Sequence, residues 1–116
     1  MTKTKAGLLA ATALMLAAPA WAEWAPSRPV EFVVASGAGG GTDNFARTIQ
    51  AVLTRDGIVE SPIVVLNKGG GSGAEAFLYA RQNEGDPHKL IFGTNNVYLL
   101  PHVAKLAYTV EDLQPV

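Results

Sequence analysis

The 116-residue chain contains no cysteine, which excludes a disulfide framework, a thiolate metal site, a cysteine nucleophile and a lipidated cysteine anchor. It also lacks a basic run after its first residues. Nine basic side chains stand against ten acidic ones, so the chain has no electrostatic footprint for nucleic acid. Its two histidines, His88 and His102, lie apart without ligand-like spacing, so no metal site is expected. What is present is apolar and glycine-rich: 48% hydrophobic residues, 12 glycines and 7 prolines. At this length they can build one small domain at most.

Residues 1–22 carry a short basic end (Lys3, Lys5), an apolar stretch from Ala6 to Ala20 and a small-x-small site, Ala20-Trp21-Ala22. That pattern predicts a secretory signal peptide cleaved after Ala22 and an exported mature chain from Glu23 to Val116. The alternative, a membrane anchor, needs ~20 apolar residues, and Pro19 interrupts this shorter stretch. No twin arginine precedes the apolar stretch, so general secretion of an unfolded chain is expected.

The mature segment opens with a proline-punctuated arm, Glu23 to Pro29. Val30 and Phe32 to Val34 then form an apolar run that suits a strand buried on both faces. After a glycine cluster, Phe45, Ala46, Ile49, Val52 and Leu53 recur with helical spacing up to Gly57. The pattern repeats with a second buried strand at Ile63 to Leu66, glycines 69–71 and a second helix from Ser72, whose Ser72/Glu75 pair predicts a capping box. Ala74, Phe77 and Leu78 should face the sheet, and Gly85 to Pro87 should end the helix. A third strand is predicted at Leu90 to Phe92. Beyond it, Pro101 and Pro115 bracket a short helix, and Thr109 can cap a further turn. The order β-α-β-α-β implies an α/β fold with a parallel sheet and right-handed crossovers. Such a sheet leaves edges and a face uncovered, so the segment reads as an incomplete first lobe, the front part of a longer protein.

In a parallel sheet the loops after the strands emerge at one edge, where ligands bind. Two of them deliver helix starts with unpaired amides and the positive end of a helix dipole, and glycine clears the approach for an anionic oxygen group. Ser36, Thr42, Ser72, Thr94, Asn95 and Asn96 add neutral donors, and Lys68 is the one nearby cation. Asp43 has two readings: a ligand contact, or a first-turn acid complementing the dipole. Competing motifs fail. Gly37-Ala38-Gly39-Gly40-Gly41-Thr42 lacks the last glycine of a dinucleotide loop and no acidic ribose partner follows the second strand, while the phosphate-loop Gly-Lys-Ser/Thr is absent. No cofactor is therefore expected. Gly70-Gly71-Ser72-Gly73-Ala74 falls one residue short of a nucleophile elbow.

Taken together, these segments resemble the substrate-binding proteins of tripartite tricarboxylate transporters, the Bug family of periplasmic solute receptors. The resemblance runs through Trp24-Ala25-Pro26-Ser27-Arg28-Pro29-Val30, Gly39-Gly40-Gly41-Thr42-Asp43 with Ala46-Arg47, Val65 to Gly73, and Leu113-Gln114-Pro115-Val116. It implies a two-lobed clamshell resembling other periplasmic binding proteins, a small carboxylate ligand held between the lobes, and delivery to membrane permease subunits. By position, the implied contacts are Gly40, Gly41, Thr42 and Asp43 in the first loop and Gly71 and Ser72 in the second; Gly39, Ser36, Thr94 and Asn95 complete the expected site. A monomeric binding protein without catalytic residues is expected. The alternatives are an exported α/β hydrolase fragment using Ser72 as nucleophile and a non-functional truncated product.

Overall fold

The computed structural model describes residues 23–116; the expected signal peptide lies outside the described residues. The elements run β1 (Val30–Val34), α1 (Gly41–Arg55), β2 (Ile63–Asn67), a 3-10 turn (Gly70–Gly73), α2 (Ala74–Gln82), β3 (Lys89–Phe92), α3 (Asn96–Val103) and a last 3-10 turn (Val110–Asp112). The three strands form one parallel sheet in the order β2-β1-β3, with Val30 opposite Ile63 and Glu31 opposite Lys89. The expected α/β parallel architecture is present, and it fits part of a periplasmic-binding-protein-like lobe.

Alternation along β1 splits its side chains between two layers. Val30, Phe32 and Val34 point to one face, where they are buried with Ala46 of α1 and Ile63, and Ile49, Leu53, Leu90 and Phe92 pack around them. Phe32 and Phe92 meet at 4.8 Å between ring centroids. The other face belongs to α2. Its Tyr79 hydroxyl donates to Glu31 Oε2 at 2.7 Å, and Lys89, the register partner of Glu31, closes an ion pair beside it. The buried Phe77 stacks obliquely on Tyr108 at 5.5 Å. Helices thus cover both faces, and the expectation of an uncovered face is corrected: the chain crosses from β2 to β3 past β1, which puts α2 opposite α1.

α1 ends as its sequence dictates. Gly57 takes a left-handed φ of 64°, its amide donates to Thr54 O and that of Ile58 to Leu53 O, the paired bonds of a glycine-terminated helix. Two members of its predicted apolar stripe do not bury: Phe45 is 62% exposed and Val52 is also exposed. Nor is β2 buried on both faces. It is an edge strand whose Val64 is 42% exposed. Alternation from Pro62 O, which accepts from Val30 N, turns Ile63 O outward, and there Gln50 Nε2 of α1 donates to it at 2.7 Å.

Two local expectations are overturned. The Ser72/Glu75 capping box does not form, because Ser72 sits in a left-handed conformation (φ 58°) two residues ahead of α2. Gly73 caps the helix instead, and the Glu75 carboxylate accepts the Gly70 amide at 3.2 Å. The short helix is not bracketed by Pro101 and Pro115 either, since α3 starts at Asn96 and contains Pro101. A proline there leaves the carbonyl four residues earlier without its amide. That carbonyl is Val97 O, and the buried Tyr108 hydroxyl donates to it at 3.3 Å. The expected turn after Thr109 does form, with the Asp112 carboxylate accepting the Thr109 amide at 2.8 Å.

Tyr108→Phe should cost about 1 kcal/mol, the typical net value of one buried hydrogen bond, and should lower the midpoint of chemical denaturation. In a Pro101→Ala background, where a backbone amide can reach Val97 O, the same substitution should cost measurably less. Equal costs in both backgrounds would refute the proposed compensation.

Candidate functional site

Because β1, β2 and β3 are parallel, residues 35–40, 68–73 and 93–95 all leave the sheet at one edge. The loops touch there. A Cβ on Gly69 would lie 2.8 Å from Ser36 C and 2.9 Å from Gly37 N, and one on Gly73 would lie 2.9 Å from Ala35 O. Glycine at these two positions lets the second loop rest directly on the backbone of the first. Asparagines complete the connection: Asn67 Nδ2 donates to Ser36 O at 3.3 Å, and Asn96 Nδ2 donates to Ser72 O at 3.0 Å.

The first loop is shaped from within by Asp43, which is only 2% exposed. Its carboxylate accepts the Gly39 amide at 2.8 Å, Arg47 Nε at 3.0 and 3.1 Å, and Asn67 Nδ2 at 2.9 Å. Those bonds, the Gly39 amide first and then Arg47 and Asn67, hold its pKa down to about 2. Neither sequence reading anticipates this role. Asp43 lies in the first turn of α1, but its oxygens are taken up by the protein's own donors.

The other expected site residues occupy the same edge in different ways. Gly39, Gly40 and Gly41 are exposed around the start of α1, with Thr42 half-buried behind them. Ser36 is half-buried and its hydroxyl makes a long 3.4 Å contact to Gly37 O. Gly71, Ser72, Thr94 and Asn95 are exposed. Gly71, Ser72 and Gly73 form three successive residues at positive φ, a turn that Asn96 holds through the Ser72 carbonyl. The sheet order places a change of direction between β1 and β3, and the crevice of a doubly wound sheet opens at such a point. This adds weight to residues 93–95.

Neither adjacent cation points into the crevice unaccompanied. Arg47 is held by Asp43 and Asn67. Lys68 Nζ lies 3.5 Å from Glu75 and 4.7 Å from the centre of the Tyr79 ring. What the loops offer an anion is therefore mainly backbone amides and hydroxyls at the start of α1, where the first N–H groups have no helical acceptor. No cluster of metal-ligating side chains occurs among the described residues. A groove of about 690 Å³ follows α1 past Arg47, Val52 and Arg55, and none of the loop glycines lines it. Sequence reasoning placed Gly69 in the second loop and Arg47 and Asn67 within the resemblance, but assigned none of these three crevice-building residues to the site. The four-residue spacing of Asp43 and Arg47 was a readable signal for a helical ion pair; the contacts of Asn67 and Gly69 had none.

Comparison with known proteins agrees with the resemblance at the level of the Bug family name. The chain is 33% identical over 105 residues to a UPF0065 protein of Bordetella pertussis, covering 89% of this chain and 32% of that protein. It is 34% identical over 113 residues to a UPF0065 protein of Bordetella bronchiseptica, covering 94% and 33%. It is 32% identical over 114 residues to protein BugT of Bordetella pertussis, covering 95% and 34%. Its homologues are UPF0065 proteins, BugT among them. The chain spans about a third of the length of these Bug-related proteins. No protein-family model matches it, and no solved structure does.

Lowering the pH should erode the Asp43 network. A carboxylate whose folded pKa of about 2 lies below its ordinary 3.8 stabilises the fold above about pH 4 and loses that contribution as the pH falls toward 2. Asp43→Asn should be less stable at pH 7 and lose less stability between pH 4 and 2, as read from denaturation midpoints. Asp86, whose pKa is also held down to about 2, will keep part of the acid dependence in that variant.

Proposed function

We propose that this chain provides the ligand cradle of a Bug-type periplasmic solute receptor that captures a small carboxylate of the di- or tricarboxylate class. The observation that carries the reading is the contact of two glycine loops, Gly69 on Ser36 and Gly37, at the edge where α1 begins. Peptide N–H groups of Gly41 and Thr42 at the α1 start, with the hydroxyl of Thr42 and the Gly71-Ser72 turn, would hold the carboxylate. Asp43 acts from behind by fixing Gly39 and hence the direction of the loop. Thr94 and Asn95 border the same opening.

Four charge-assisted hydrogen bonds contribute roughly 6 to 12 kcal/mol gross, and association costs about 4 kcal/mol or more. Binding by this lobe alone is therefore weak, and strong capture requires a second lobe closing over the ligand. In this reading the protein is exported, works as a monomer, passes its ligand to the permease subunits of a tripartite tricarboxylate transporter and catalyses no reaction. The relatives support the receptor reading through the Bug name. The hydrolase alternative draws support from the unusual backbone of Ser72, but His88 is engaged by Ser27 and Asp86 ahead of β3, at the opposite end of the sheet.

Gly41→Pro provides a selective test. Position 41 begins α1, Gly40 already has an extended conformation (φ −74°, ψ 172°) and a Cβ at Gly41 meets no atom within 4 Å, so proline fits while deleting one amide. Titration with succinate or citrate, followed by amide chemical shifts, should give saturable changes at Gly41, Thr42, Gly71 and Ser72. The variant should keep its denaturation midpoint and bind about tenfold more weakly. Absence of saturable shifts at both loops, or ester hydrolysis that disappears in Ser72→Ala, would refute the receptor reading.

A further inference from the structure

At the sheet end opposite the crevice, the arm of residues 23–29 is held by three polar contacts. Ser61 Oγ donates to Pro26 O at 2.6 Å, Arg28 Nη2 donates to Asp86 Oδ1 at 2.7 Å, and the Ser27 amide donates to His88 Nε2 at 3.3 Å. The last contact depends on the state of the imidazole. A ring nitrogen accepts an N–H only while it carries no proton, so this contact belongs to the ring with an unprotonated Nε2, whose Nδ1 faces Asp86 Oδ1 at 3.2 Å. His88 is also fastened through its backbone: its amide donates to Asp86 Oδ1 at 3.0 Å and its carbonyl accepts the Glu31 amide at 2.7 Å. The backbone that carries the ring is therefore fixed against β1 and the turn before β3.

We propose that His88 is a proton-operated latch for the end of the N-terminal arm: in its neutral form it holds Ser27 and Arg28 against the sheet, and on gaining a proton it releases them. Two contacts fail together. A proton on Nε2 sets two donors against each other at Ser27. The new positive charge also faces the Arg28 guanidinium, and both cations then compete for the one oxygen, Asp86 Oδ1, that each already touches. The surrounding charges are Asp86, in the turn before β3, Arg28 on the arm and Lys89 on β3. Lys89 Nζ lies 3.8 Å from Asp86 Oδ2 and is itself paired with Glu31 of β1, beside Tyr79 of α2. Protonation at Nε2 costs the arm its acceptor.

Nitrogen-15 NMR of the full chain tests this directly, with His102→Gln removing the second imidazole signal. At pH 8, long-range imidazole spectra should show the Nδ1-protonated tautomer of His88 and a dispersed Ser27 amide. As the pH falls, the amides of Ser27 and Arg28 should move to unstructured positions with the same midpoint as the His88 ring, while those of Val33 and Phe77 stay in place. In His88→Gln, whose side-chain oxygen can accept the Ser27 amide at every pH, the arm signals should stay constant through that range. An Nε2-protonated ring at pH 8, or arm signals that stay fixed while the ring titrates, would overturn the latch, as would an arm transition that persists unchanged in His88→Gln.

Discussion

The crevice depends on one buried carboxylate. Asp43 receives donors from its own loop through Gly39, from its own helix through Arg47 and from the next strand through Asn67. A glycine-rich loop carries a high conformational entropy, and without side chains it has little packing to oppose that entropy. Charge-assisted hydrogen bonds from one fixed point supply the missing constraint, because each is roughly twice as strong as a neutral one. Placing the acid in the first turn of α1 also lets it interact favourably with the helix dipole. The loop gains a defined shape while its exposed amides remain uncovered by side chains.

The topology determines where that shape is useful. β1 is the central strand, so the loop that follows it is flanked by the exits of both β2 and β3. Since β1 leads into α1 on one face and β3 leads into α3, which contacts α2 of the other face, the chain segments leaving β1 and β3 diverge and an opening is left between them, the general origin of ligand sites in doubly wound sheets. Gly69 brings the third exit, that of β2, into contact with the backbone of the first. Rigidity below the opening comes from aromatic packing on both faces, Phe32 with Phe92 on one and Phe77 with Tyr108 on the other. The polar trio Glu31, Tyr79 and Lys89 fixes the register of β1 against β3 and the height of α2 above them.

Much of this framework was readable in advance because it follows from local pattern. Apolar runs gave the three strands, helical spacing gave α1 and α2, and Gly57 ended α1 where a left-handed residue was needed. What was not readable involved partners distant in sequence. Pro101 looked like a boundary because its missing amide normally ends a helix; the hydroxyl that compensates lies on Tyr108, beyond the end of that helix. Ser72 and Glu75 had the spacing of a cap, but three successive residues at positive φ moved Ser72 out of position. Asp43 stood open between a ligand contact and a partner of the helix dipole because Asn67, 24 residues away, gives no local sign that it will arrive. The convergence of the loops was legible, since parallel strands require it; the side chains that lock them together were not.

The outer strand β2 shows how a small detail of the same helix protects the sheet. Unpaired strand margins invite other chains to add on in register and begin fibril growth. Gln50 places its amide on the outward carbonyl of Ile63, so an incoming backbone would have to evict a bonded side chain before it could zip onto that margin. Helix α1 thus occupies one outward acceptor on the margin of β2.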